Sequence, residues 1–91
     1  MKYVVAFDIS NGKKRSAVAK ACAEWGFRVQ RSVFEIFIDS SKINDFSEKL
    51  LKLINPDHDT VRLYPLDKDN DKNIVIIGTG KTVRQFSYAI V

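Results

Sequence analysis

The stretch Phe27-Arg28-Val29-Gln30-Arg31-Ser32-Val33-Phe34-Glu35-Ile36-Phe37-Ile38 decides the fold. Its β-branched and aromatic content marks extended chain. Its length permits either one bent strand or two strands that reverse tightly near Ser32 to Phe34. No Asn-Gly or similar dipeptide chooses between the two.

Working outward, residues 2 to 9 (KYVVAFDI) are apolar on both alternating faces until Asp8, as in a central strand covered on both sides. Ala17, Val18, Ala21, Cys22 and Trp25 then recur at helical spacing, with Ser16, Lys20 and Glu24 on the wet face and Gly26 suited to the C-terminal cap. Beyond the deciding stretch, Asp39, Ser40 and Ser41 are capping residues for a second helix. Its apolar stripe is Ile43, Phe46, Leu50, Leu53 and Ile54, and Asn55-Pro56 ends it. Thr60 to Leu66 and Ile74 to Ile77 read as two further strands. If residues 27 to 38 form a pair, the order is βαββαβ with an extra C-terminal strand. That is an α+β, ferredoxin-like sandwich: an antiparallel sheet with both helices on one face. The other face of so apolar a first strand needs cover, which a second copy of the chain would supply. The alternating tail from Arg84 to Val91 could add an edge strand to that neighbour. One domain over residues 1–91 is expected, with its core in about 1–78 and the tail 79–91 packed on the partner protomer.

Composition bounds the function. Ninety-one residues make a single small domain, and 45% apolar with 29% charged residues is the balance of a folded globule rather than a disordered chain. Fifteen Lys and Arg against eleven Asp and Glu leave +4 and a pI near 9.3, which favours polyanionic partners. Cys22 is the only cysteine, so neither an intrachain disulfide nor a cysteine-rich zinc site can form, and a cytoplasmic setting is expected. The N-terminal apolar run is cut by Asp8, far short of the roughly 20 residues of a membrane span, so no membrane role is expected.

The richest chemistry lies in Asp8-Ile9-Ser10-Asn11-Gly12-Lys13-Lys14-Arg15, between the end of a strand and the start of a helix. Three successive cations in a first helical turn oppose the macrodipole, which would favour carboxylates there by about 0.3 to 1 kcal/mol each. The arrangement calls for an anion, and helix N–H groups with Lys and Arg suit a phosphate. Ser10 and Asn11 are better placed than Asp8 to cap the helix, which leaves the Asp8 carboxylate for a hard cation. Mg²⁺ commonly takes only one or two carboxylates, with water and phosphate completing its shell. A symmetric dimer would bring a second Asp8.

The strand Val4-Val5-Ala6-Phe7-Asp8-Ile9, the basic turn Lys13 to Arg15, the block Gly26-Phe27-Arg28-Val29-Gln30-Arg31-Ser32-Val33-Phe34-Glu35 and the segment Val61-Arg62-Leu63-Tyr64-Pro65-Leu66 together resemble the CRISPR-associated Cas2 family over about residues 1 to 80. The long ungapped block makes the resemblance specific. It implies a ferredoxin-like homodimer with facing sheets, in which the paired aspartates near the two-fold axis hold Mg²⁺ or Mn²⁺. The activity implied is metal-dependent endonuclease cleavage of RNA or DNA, with a part in spacer acquisition beside the Cas1 integrase in antiviral defence. The alternative within the family is a non-catalytic, duplex-binding adaptor of the integrase. By position, Asp8 matches the metal ligand, Arg15 and Arg28 match basic residues tied to activity, and Phe34 matches an aromatic near the site. Phe7 and Asn11 stand where many members have a tyrosine and a second acid, so metal affinity should fall with ligand charge. Lys13, Lys14, Arg15, Arg28, Arg31 and Arg62 are the residues expected to neutralise phosphates.

Other motifs carry less. Gly78-Thr79-Gly80-Lys81-Thr82 imitates the end of a P-loop, but Val75 stands where its first glycine belongs. Asp67 to Asp71 begins like a calcium loop, yet Lys72 and Gly78 occupy the positions that need glycine and glutamate. His58 is the sole histidine and is expected at the surface; Cys22 and Trp25 follow the helix stripe into the core. An RNA-recognition module on a related sandwich is disfavoured, because Arg62 to Leu66 lacks paired stacking aromatics.

Overall fold

A computed structural model describes residues 1–66, 73–78 and 84–87. The elements run β1 (Lys2–Asp8), α1 (Gly12–Ala23), β2 (Gly26–Gln30), β3 (Val33–Phe37), α2 (Ile43–Leu53), β4 (Thr60–Pro65), β5 (Asn73–Gly78) and β6 (Arg84–Ser87). The deciding stretch is therefore two strands, reversed at Arg31-Ser32. Their register slips from Arg28 opposite Phe34 to Gln30 opposite Val33, so Val29 is the extra residue of a bulge. The sheet order is β2-β3-β1-β4-β5-β6 with every neighbour antiparallel. The first four strands in that order are the ferredoxin-like core; β5 and β6 extend it at the β4 edge.

Alternation along β1 separates the two faces. Tyr3, Val5 and Phe7 are buried with Val18 and Cys22 of α1 and Phe46 and Leu50 of α2. Val4 and Ala6 are half-buried and Asp8 is exposed on the opposite, helix-free face. Cross-strand register places Val33, Glu35 and Phe37 of β3, and Thr60, Arg62 and Tyr64 of β4, on that same open face. Phe27, opposite Glu35, and Phe37 leave 53% and 52% of their surfaces exposed there. Lys2 and Glu35 form an ion pair of 2.7 Å across the face.

Two local expectations change. Gly26 opens β2 instead of capping α1, because a Cβ there would overlap the carbonyl oxygen of Glu35 on the neighbouring strand. α2 begins after Lys42 and not at Asp39, Ser40 or Ser41: the Lys42 N–H donates to the Asp39 carbonyl in a preceding turn, and no side chain caps the helix. Residues 84–87 pair with β5 of the same chain, whereas the rest of the expected C-terminal edge strand, 88–91, lies outside the described residues, as do Asp67 to Asp71 and most of the P-loop-like segment.

The Asn55-Pro56-Asp57-His58-Asp59 connection is held by its own side chains. The Asn55 N–H donates to the buried Asp59 carboxylate at 2.8 Å, and the Asp57 N–H to Asn55 Oδ1 at 3.1 Å; His58 stays exposed. Gly78, at φ 101°, packs its α-carbon against the Asp59 carbonyl, where any side chain would collide. Among the described residues no helix is long and apolar enough to cross a membrane.

Candidate nucleic acid and metal site

β1 carries Asp8 to the end of the sheet and its parity turns the carboxylate onto the open face, opposite Thr60. There Ala6, Phe7, Asp8, Thr60, Arg62 and Tyr64 line a shallow hollow of about 290 Å³. The side-chain donors around it are oxygens, from a carboxylate, a hydroxyl and a phenol, with one guanidinium. Oxygen donors suit Mg²⁺ or Mn²⁺. Among the described residues no cluster of three His, Cys, Asp or Glu exists, and Asp8 is the one carboxylate lining this hollow.

Three residues separate Asp8 from α1. Ile9 is buried and anchors the turn, while Asn11 caps the helix, its Oδ1 accepting from the Lys14 N–H at 3.0 Å. Asn11→Ala should cost roughly 1 kcal/mol, as loss of a capping oxygen does elsewhere, read from urea unfolding. Arg15 turns back to donate from Nη1 to the Ile9 carbonyl at 3.0 Å, so it braces the backbone just past Asp8. Lys13 is exposed and Lys14 half-buried beside it. α1 holds Lys13, Lys14, Arg15 and Lys20 and no acid, so this one helix accounts for the whole +4 and the remainder of the chain sums to zero.

The predicted site residues thus divide. Asp8 and Arg62 share one hollow, and Lys13, Lys14 and Arg15 follow Asp8 in the first turn of α1. Arg31 lies exposed in the β2–β3 turn. Arg28 and Phe34 face the helix side: Phe34 is 2% exposed, the Arg28 guanidinium lies 5.2 Å from its ring centroid, and Phe7 stacks on it at 6.1 Å. Thr60 and Tyr64 join the hollow although the sequence reading did not single them out; the only signal was their parity with Arg62. Lys20 was likewise passed over as an ordinary wet-face residue, yet it lines both surface hollows along α1, with Lys13 and with Arg28. Burial pushes the Cys22 thiol up to about 12, so it stays protonated and is no nucleophile at neutral pH.

The family described as "CRISPR associated protein Cas2" matches residues 1–74. A "CRISPR-associated endoribonuclease Cas2 3" of Chloroflexus aurantiacus is 39% identical over 79 residues, covering 87% of this chain and 85% of that relative. A "CRISPR-associated endonuclease Cas2" of Halalkalibacterium halodurans is 31% identical over 88 residues, covering 91% and 92%. The crystal structure of Streptococcus pyogenes Cas2 superposes with a TM-score of 0.70 at 32% identity, over 77% of this chain and 90% of that one.

Proposed function

This chain belongs to the CRISPR-associated Cas2 family, and from that premise we propose that it is a homodimeric, metal-dependent endonuclease that hydrolyses phosphodiester bonds in RNA or DNA. The observation that carries the reading is the position of Asp8: an exposed carboxylate on the open face that shares a hollow with Arg62 and stands just before the cationic start of α1. A metal held there would supply Lewis-acid activation of water and of the phosphate. The chain's own groups perform the rest. Asp8 provides the carboxylate and Lys13, Lys14 and Arg62 neutralise the phosphate. Arg15 fixes the turn that aims Asp8.

The dimer part of the reading rests on the same face. Phe27, Phe37 and Leu66 leave about half their surfaces exposed, an apolar patch that a second copy would cover while bringing its own Asp8 and Arg62. Light scattering should give twice the 10.4 kDa chain mass. Purified protein should cut RNA or DNA with Mg²⁺ or Mn²⁺ and lose cleavage in EDTA; cleavage that survives chelation would end the metal-dependent reading.

A second reading is favoured by the four cations of α1, unaccompanied by any acid, and by the single carboxylate of the hollow. In it the dimer clamps duplex nucleic acid and docks the Cas1 integrase during spacer acquisition, without cutting. Its mark is binding with a steep salt dependence that persists when metal is removed. Both readings place the protein in the cytoplasm.

A further inference from the structure

The basic residue on β2 sits on the wrong side of the sheet to reach a phosphate in the Asp8 hollow of its own protomer. Arg28 pairs with Phe34 in register, and Phe34 lies on the helix-facing side, whereas Asp8 lies on the open side. What Arg28 touches is an aromatic column. Its guanidinium covers the Phe34 ring at 5.2 Å; Phe34 in turn stacks on Phe7 at 6.1 Å with 25° between the planes; and Phe7 is the residue immediately before Asp8. The backbone repeats the connection: the Phe7 N–H donates to the carbonyl of Ser32 in the β2–β3 turn at 3.0 Å, beyond the last regular β1–β3 pair at Ala6 and Val33.

The end of β1 is therefore held from two directions. On the chain side, Arg15 fixes the Ile9 carbonyl after Asp8. On the sheet side, the Phe7 ring and N–H are fixed by Phe34 and Ser32, which are carried by the hairpin whose outer strand bears Arg28. We infer that Arg28 is a positioning residue that fixes the Asp8 carboxylate through Phe34 and Phe7, and does not itself bind substrate. The proposal deepens the nuclease reading and rests on it for its kinetic consequences alone. A planar guanidinium lying on a ring is the group for this task, since it covers the aromatic face while its remaining N–H groups stay in water.

The test compares Arg28→Ala, Phe34→Leu and the double variant, with Lys52→Ala, exposed in the last turn of α2, as the surface control. Each single change should lower kcat about tenfold at unchanged KM, and the double change should cost no more than either alone, because both break one column. Binding of a short duplex in EDTA should keep its salt slope in Arg28→Ala. A slope smaller by about 1 would mean that Arg28 neutralises a phosphate and would overturn the proposal. So would kinetic effects that multiply in the double variant. The ¹³C carboxyl resonance of Asp8 is the readout independent of cleavage. It should shift in Arg28→Ala and in Phe34→Leu but not in Lys52→Ala, and an unmoved resonance in Arg28→Ala would overturn the proposal even if Phe34→Leu proves too unstable to study. Wild-type protein that cuts nothing would defeat the nuclease reading and leave the resonance and the salt slope to decide this one.

Discussion

Asp8→Ala should lower metal-dependent cleavage by roughly a hundredfold or more without disturbing the fold. Asp8 ends β1, exposed, opposite Thr60, and makes no packing contribution to the core, so its truncation should leave the unfolding midpoint within a few degrees of the parent. It is also the one carboxylate in its hollow, and in a symmetric dimer the substitution removes both copies at once. Metal-borne stabilisation of a phosphoryl transition state is worth several kcal/mol, and each 1.36 kcal/mol is tenfold in rate, which sets the size of the loss. Binding of nucleic acid in EDTA should persist, because the cations of α1 are untouched. Cleavage at the parental rate by the purified variant would show that the activity belongs to a contaminant or to other residues.

Gly26→Ala should be the most damaging small substitution on the stability side. The added Cβ would overlap the carbonyl oxygen of Glu35 and lie 2.7 Å from Cα of Ile36, both backbone atoms of the paired strand, so no side chain can rotate to make room. β2 must then draw away from β3, and with it go the Phe34 cover and the β2–β3 turn. Overpacking costs about 1 to 3 kcal/mol, and a collision with backbone that no rotamer relieves falls at the upper end. A chain of this size commands in total only about 5 to 14 kcal/mol. In a domain of 60 to 100 residues each kcal/mol moves the midpoint by about 4 to 8 °C, so a fall of at least about 12 °C is expected by calorimetry. Gly12→Ala is the control: its Cβ would meet only the flexible tip of Arg15, at 3.7 Å, and the midpoint should hardly change. Equal shifts in the two variants would refute the close-approach account.

Much of this was legible in the residues. The run through Asp8, the helical stripe at Val18, Ala21 and Cys22, and the stop at Asn55-Pro56 are local patterns, and the structure follows them. The reversal at Arg31-Ser32 was open because the pair is not one of the dipeptides that mark a tight hairpin; the bulge at Val29 that accommodates it depends on pairing with β3, which sequence spacing does not encode. Gly26 looked like a helix cap because it follows a helix. Its real constraint is a neighbouring strand's carbonyl. The α2 start moved for a similar reason: the turn from Asp39 to Lys42 fixes it, and Lys42 lies over the Trp25 ring at 5.7 Å, a contact between distant parts of the chain. At the site, Asp8 and the α1 cations could be read because they are adjacent in sequence. Thr60 and Tyr64 could not, since only β1–β4 register brings them beside Asp8. That Phe34 lies under Arg28, and not beside Asp8, likewise follows from strand parity alone.

α1 carries four cations and no acid while the rest of the chain sums to zero, so this +4 molecule is a body with one positive pole. In dilute buffer such a body is turned by the field of a polyanion as it diffuses, so encounters begin at that pole and productive collisions outnumber random ones. At physiological salt, where the Debye length is about 8 Å, the steering survives only at close range, and capture should slow while complexes already formed come apart more quickly.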